Sequence, residues 1–304
     1  MFAYAYRTDM VQPICRFITH LIVYSSLYTS ILGVAMVYIS CMAQGLPFDP
    51  VAAALMMLVT FSVYNLNRKT DEDEDAINHA ERYAFTKEYG TILFRSAVGA
   101  YIVALCLSIL QGPGSLLITA IPLVAGVVYS VPLFPAGFGF RRLKEVPIMK
   151  SLLVAFSWAV PPVLLPVCHA AAPADTITVI VGVFLFIQAF TNTVVFDMRD
   201  VEGDIAAGVK TIPAILGIRR TLLLFAGVNL VLGAVLVLTG TSLLGSCTTA
   251  LALVAGVIYT QGYLLYFHQL VREKLLFELL VDGQFIVLGG IFCLLTLVLP
   301  YPPI

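Results

Sequence analysis

The chain has 304 residues, 60% hydrophobic and 12% charged, with a mean hydropathy of +0.96 and a net charge of −1. A soluble domain carries about a quarter charged residues, so this composition excludes water as the solvent for most of the chain. The absent basic excess also excludes a nucleic-acid partner, because nothing is available to neutralise a phosphate backbone.

A transmembrane helix needs about 20 mostly apolar residues. Nine stretches qualify in chain order: 17–43, 47–66, 91–111, 115–135, 151–169, 175–196, 219–240, 243–266 and 276–299. The first is too long for a signal-peptide core and is expected to remain as a span. Gly, Pro and small residues mark the joins, as in Gln111-Gly112-Pro113-Gly114. The fifth stretch carries Pro161, Pro162 and Pro166, tolerated only where neighbours or water satisfy the freed carbonyls. The ninth contains Glu278 and Asp282. A carboxylate inside a membrane is a functional-site candidate by default, with a hydrogen bond to a neighbouring helix as the equal alternative. The expectation is an all-α, polytopic membrane protein forming a single domain over residues 1–304. The six cysteines show no CxxC or Cys/His spacing and read as packing residues rather than zinc ligands.

With the N-terminus inside, all 17 Lys and Arg fall on one side of these nine spans or within about a turn of it. The positive-inside rule then predicts an inside N-terminus, an outside C-terminus and a cytoplasmic position for the loops after the second and sixth spans.

Both of those loops are acidic. In the first, Asn67, Asp71 and Asp75 recur at i, i+4, i+8; in the second, Asp197, Asp200 and Asp204 recur at i, i+3, i+7. On a helix of 3.6 residues per turn, each set shares one face. Stacked carboxylates repel unless a cation sits between them, and an oxygen-only donor set suits Mg2+ or Mn2+. Mg2+ shares its shell readily with substrate phosphates, so two such clusters suit the clamping of a diphosphate. Arg68, Lys69, Arg82, Arg199 and Lys210 lie close by in sequence as phosphate partners. A run such as Asp71-Glu72-Asp73-Glu74-Asp75 alone reads as a solvated loop. Two clusters at helical spacing, on one face and at the mouths of apolar spans, point to a site.

A diphosphate held beside an apolar bundle suggests a lipid tail within the bundle. Metal improves the diphosphate as a leaving group, and an allylic tail then leaves a delocalised cation that aromatic faces stabilise. Tyr64, Tyr129, Phe190 and Phe196 lie near the inside mouth, each equally explicable as packing. The base that removes the final proton is left among Asp75, Asp197 and Asp204.

These residues resemble the UbiA superfamily of intramembrane prenyltransferases. Its NDxxDxxxD motif is matched by Asn67, Asp71 and Asp75, and its DxxNRPxRP-like continuation by Asp75, Asn78 and Arg82. Its DxxxD motif is matched by Asp200 and Asp204, with Asp197 preceding, and Gly208 to Pro213 resembles a GxKTxP continuation containing Lys210. Tyr129-Ser130 and the stretch from Leu143 to Lys150 resemble a tyrosine-and-lysine loop. The resemblance implies nine helices around a central cavity and Mg2+-dependent transfer of a prenyl group from an isoprenoid diphosphate to an aromatic or lipid acceptor. It implies metal binding by Asn67, Asp71, Asp75, Asp197, Asp200 and Asp204, with Asp71, Asp75, Asp200 and Asp204 catalytic. It implies diphosphate contacts from Asn67, Arg68, Asn78, Arg82, Tyr129, Lys144, Lys150 and Lys210. Arg68 stands where the family has an Asp, and His79-Ala80 and Tyr83 depart from the continuation. A cyclase acting on the donor alone is the alternative reaction. A cation-coupled transporter, which would centre on Asp282 rather than on the acidic loops, ranks lower.

Overall fold

Most apolar stretches begin on a residue that can satisfy the orphan N–H groups of a helix start. Asp49 Oδ1 accepts from the backbone N–H of Val51 and Ala52, both at 2.9 Å, ahead of a helix that opens on Pro50. Asp175 caps the helix from Thr176, and Ser246 the helix from Cys247. The computed structural model describes residues 21–70, 80–132, 135, 140–206 and 208–298. Among these, regular structure is helical, with one isolated bridge between Pro132 and Arg142.

The long helices are α1 (Leu27–Ala43), α2 (Pro50–Thr70), α3 (Ala80–Gln111), α4 (Pro113–Ser130), α5 (Met149–His169) and α6 (Thr176–Arg199). Two short helices follow, α7 (Val201–Ala206) and α8 (Ile212–Leu216). Then come α9 (Ile218–Leu244), α10 (Cys247–Leu265), the short α11 (Phe267–Leu270), α12 (Lys274–Asp282) and α13 (Gln284–Val298). Among the described residues, six helices are long and apolar enough to cross a membrane. The pair α12 and α13, bent by 44°, makes a seventh if it is one span, and α1 and part of α4 are shorter apolar helices. Leu110 and Leu238, 79% and 80% exposed, lie on an outer surface suited to lipid rather than water.

Three boundaries differ from the sequence expectation. Helix α2 runs to Thr70, so Asn67 lies on the helix and not past it. Helix α3 starts at Ala80 rather than near 91, which puts Arg82 on a helix; residues 80–90 are helix formers without the apolarity by which a span is recognised. The ninth stretch is two helices broken around Gly283. By contrast, α5 passes through Pro161, Pro162 and Pro166 without interruption.

Packing inside the bundle uses small residues and polar pairs, as expected where no hydrophobic gradient separates helices from lipid. Gly33 of α1 lies against α2, where a Cβ would meet Thr60 Oγ1 at 2.8 Å and Met56 O at 3.0 Å. Gln188 donates to Asn229 Oδ1 at 3.1 Å, Asn229 donates to Thr191 Oγ1, and Tyr263 donates to Gln284 Oε1 at 2.8 Å, tying α6, α9, α10 and α13 together.

Three helix ends are joined at the end of the bundle away from the acidic motifs. His169 contacts Asp49 Oδ2 through Nδ1 at 2.6 Å and Ser115 Oγ through Nε2 at 2.8 Å. Ser115 is fully buried. His169→Ala is expected to lower stability by about 1–3 kcal/mol by stranding that hydroxyl. Thermal unfolding in detergent checks this, and an unchanged midpoint would show the three ends to be held by packing alone.

Candidate functional site

The second acidic motif follows from where α6 stops. Asp197 lies on its last turn, 3% exposed, and Asp200 is its C-cap at φ −99° and ψ 12°. Asp204 lies on α7 and is also 3% exposed. The helix therefore breaks at Asp200, which corrects the expectation that Asp197, Asp200 and Asp204 share one continuous face. The break separates their roles. Asp197 and Asp204 meet at Lys150, whose Nζ lies 3.0 Å from Asp197 Oδ1 and 2.7 Å from Asp204 Oδ1. Ser151 donates to Asp197 Oδ2 at 2.6 Å. Asp200 is instead gripped by Arg199, through Nε to Oδ1 at 2.7 Å and an NH2 contact to Oδ2 at 2.8 Å.

Asp204 feels two opposing influences. Burial pushes its carboxyl up to about 6, with Asp197 and Asp200 adding to the rise, while Lys150 pulls against it. Among the described residues, its Oδ2 is buried without a hydrogen-bond partner. An orphaned carboxylate oxygen, two carboxylates gathered on one cation and no nitrogen or sulfur donor fit a hard divalent ion. No group of three or more His, Cys, Asp or Glu with metal-site spacing occurs among the described residues. The remaining acids expected to contribute, Asp71 and Asp75, lie outside them, as does Asn78.

Arg199 anchors a second layer. Its NH1 donates to Glu278 Oε1 of α12 at 3.2 Å, and its guanidinium lies 4.7 Å from the Phe196 ring and 5.4 Å from the Phe277 ring. Arg82 of α3 faces the same Glu278 oxygen at 3.9 Å. Glu278 thus connects the continuation of the first motif to the second, a role sequence spacing did not reveal. The available signal was a carboxylate and an arginine, both inside otherwise apolar helices.

The loop before α5 is fixed by Glu145, whose Oε2 accepts from Arg141 N at 2.7 Å and whose Oε1 accepts from Arg142 Nε at 2.7 Å. These bonds hold its carboxyl down at about 2, the Arg141 N–H contributing most. Ile148 then enters α5 at φ +67°, a costly conformation for a β-branched residue. Its N–H donates to Lys210 O at 3.3 Å, which docks this loop on the stretch after α7. Lys210 contributes its backbone here, and its side chain is exposed. The side chains of Tyr129 and Lys144 lie outside the described residues.

A cavity of about 150 Å³ lies just inside the bundle, lined by Tyr64 and Asn67 of α2, Pro122 and Gly126 of α4, and Leu153 and Trp158 of α5, among others. Lys150 is one turn before Leu153 and Val154 on the same helix, so the cavity lies next to the Asp197–Asp204 pair. Arg68, beside Asn67, donates to the backbone carbonyl of Tyr24. Trp158, the single tryptophan, was not singled out from the sequence. It meets Tyr64 edge to face at 5.4 Å.

The pattern of the UbiA prenyltransferase family matches residues 27–297. The chain belongs to that family. It is 31% identical over 189 residues to the digeranylgeranylglyceryl phosphate synthase of Natronomonas pharaonis, covering 60% of this chain and 61% of that relative. The match thus spans about three fifths of the relative's length. An apo UbiA homolog from Aeropyrum pernix K1 superposes with a TM-score of 0.67 at 13% identity, covering 88% of this chain and 98% of that one. A UbiA homolog from Archaeoglobus fulgidus bound to GPP and Mg2+ gives 0.65 at 14% identity, covering 92% and 98%. These likenesses establish a UbiA fold for the helical bundle.

Two outcomes test the site. Lys150→Met leaves two buried carboxylates uncompensated and is expected to cost about 3 kcal/mol or more; Mg2+ should restore part of the lost melting temperature relative to EDTA. No Mg2+ effect on that variant would argue against a cation site between Asp197 and Asp204. For Glu145, whose folded carboxyl is depressed, the contribution to stability is complete above the ordinary Glu range and is lost as pH falls toward 2. Glu145→Gln should reproduce that loss at neutral pH as faster proteolysis within residues 140–148.

Proposed function

We propose that this chain transfers a prenyl group from an isoprenoid diphosphate to an aromatic or lipid acceptor, with divalent metal, inside the membrane. The observation that carries this reading is the cavity walled by the helices of both motifs. Asn67 opens the first motif and lines it, and α5 runs from Lys150, held by the second motif, to Trp158 on the cavity wall. Family membership supports it, as does the GPP and Mg2+ in the Archaeoglobus relative.

Asp71, Asp75, Asp197, Asp200 and Asp204, with Asn67, would hold Mg2+, or Mn2+ in its place, and the metal would supply charge stabilisation to the departing diphosphate. Lys150, now between two carboxylates, is suited to swing to diphosphate oxygens once metal takes its place. Arg68, Asn78, Arg82, Tyr129, Lys144 and Lys210 remain proposed partners of the diphosphate. The Tyr64–Trp158 pair offers ring faces to an allylic cation and keeps water from it. We take the short apolar helices α1 and α4, with the α12–α13 pair, to complete nine spans in one domain, with the N-terminus and both motifs on the cytoplasmic side.

Purified protein in nanodiscs, given Mg2+ and prenyl diphosphates of increasing length, should release diphosphate and lose that activity in EDTA. Asp71→Ala, Asp200→Ala and Asp204→Ala should each lower turnover by on the order of 100-fold or more. Wild-type protein that turns over no prenyl diphosphate with any acceptor overturns the reading. Turnover of donor alone to a cyclic product would favour a cyclase.

A further inference from the structure

The break in the last span is held open by the rest of the bundle. Around it, three consecutive carbonyls of α12 receive side-chain donors from three different helices or their flanks. Tyr28 Oη donates to Leu279 O at 2.6 Å, Tyr259 Oη to Leu280 O at 2.8 Å and Asn192 Nδ2 to Val281 O at 2.9 Å. Irregular backbone within a membrane survives only where such donors satisfy it. Gly283 follows, where a Cβ would lie 2.3 Å from Leu279 O and 2.8 Å from Tyr28 Oη, so the packing admits no side chain there.

The residue presented at this break is Asp282. It lines a cavity of about 20 Å³ together with Tyr64, Trp158, Asn192 and Thr193. That volume admits one water-sized group. Tyr64 and Trp158 also line the larger cavity that contains Asn67, so the aromatic pair separates the motif side from Asp282. The arginines around Asp282 have other carboxylates. Arg199 is held by Asp200 and Glu278, and Arg82 faces Glu278. Glu278 lies one turn from Asp282 on α12 and is engaged in that layer, which leaves Asp282 as the carboxylate on the cavity.

We propose that the small cavity receives the reacting hydroxyl of the acceptor and that Asp282 takes its proton. This rests on the prenyl-transfer reading above and names the acceptor class, an alcohol or phenol that reacts through oxygen. The C1–O bond to diphosphate breaks, with its electron pair leaving on the diphosphate. The acceptor oxygen forms a bond to C1, and its proton passes to the Asp282 carboxylate, giving an ether. Carboxylates at the second motif are poor candidates for this step, because Lys150, Ser151 and Arg199 already hold them. An acceptor of this class also accords with the glyceryl phosphate in the name of the Natronomonas relative.

The test uses full-length protein in nanodiscs with Mg2+, geranylgeranyl diphosphate as donor and a monoprenyl glyceryl phosphate with one free hydroxyl as acceptor. Asp282→Asn should bind donor within about twofold of wild type and lower transfer kcat by on the order of 100-fold or more. Asp282→Glu should recover at least tenfold of that loss. Thr193→Val, which lines the same cavity away from the break, should raise the acceptor KM and leave donor binding unchanged. Independently of any variant, wild-type protein offered a hydroxybenzoate should give the O-prenyl product in preference to ring alkylation. The proposal is overturned if Asp282→Asn transfers within threefold of wild type, if its loss is matched by lost donor binding, or if wild type prefers ring carbon. Wild-type protein that releases diphosphate from no donor overturns the prenyl-transfer reading itself, and this proposal with it.

Discussion

Charge at the rim of an apolar bundle must be compensated locally, and Lys150 does this for the second acidic motif. Asp197 and Asp204 are nearly inaccessible to water and lie on either side of a helix break, so their mutual repulsion would open α6 from α7 without a cation between them. That ammonium begins α5, and α5 is also a wall of the main cavity. The position of the cavity wall and the compensation of the motif are therefore one constraint. The strained entry at Ile148 and the Glu145 clamp serve the same end, because both decide where Lys150 begins its helix.

A parallel arrangement governs Asp200. Arg199 could have neutralised both Asp197 and Asp200 had α6 continued. Instead the C-cap geometry turns Asp200 back on its neighbour, and Glu278 completes the pair from α12. Since Arg82 faces the same Glu278, a shift at either motif is communicated through one carboxylate. Two such layers, one centred on a lysine and one on an arginine, give the site cationic groups that divalent metal and diphosphate can re-partner without leaving buried charge behind.

The interior contrasts with this rim. Its polar groups are amides and hydroxyls paired across helices, as in the Gln188–Asn229–Thr191 set, and these join helices without ionisable groups. Asp282 stands apart from that pattern, which is why a carboxylate on a satisfied helix break carries more information than another buried hydrogen bond.

Composition and hydropathy by themselves determined the all-α membrane character, because burying a backbone in lipid permits few alternatives to a helix. Acidic spacing put forward Asp197 and Asp204, whose carboxylates the fold brings to one ammonium. Spacing failed at Asp200, since a helical repeat presumes a helix and the chain ends one there. It also missed Ser151, Trp158, Glu278 and Asn192, whose contacts join residues more than 30 positions apart and leave no local period. What only the tertiary structure decided is which charges meet. Pairing in a low-dielectric rim depends on distances of a few ångströms between helices, and the sequence sets those distances only through packing.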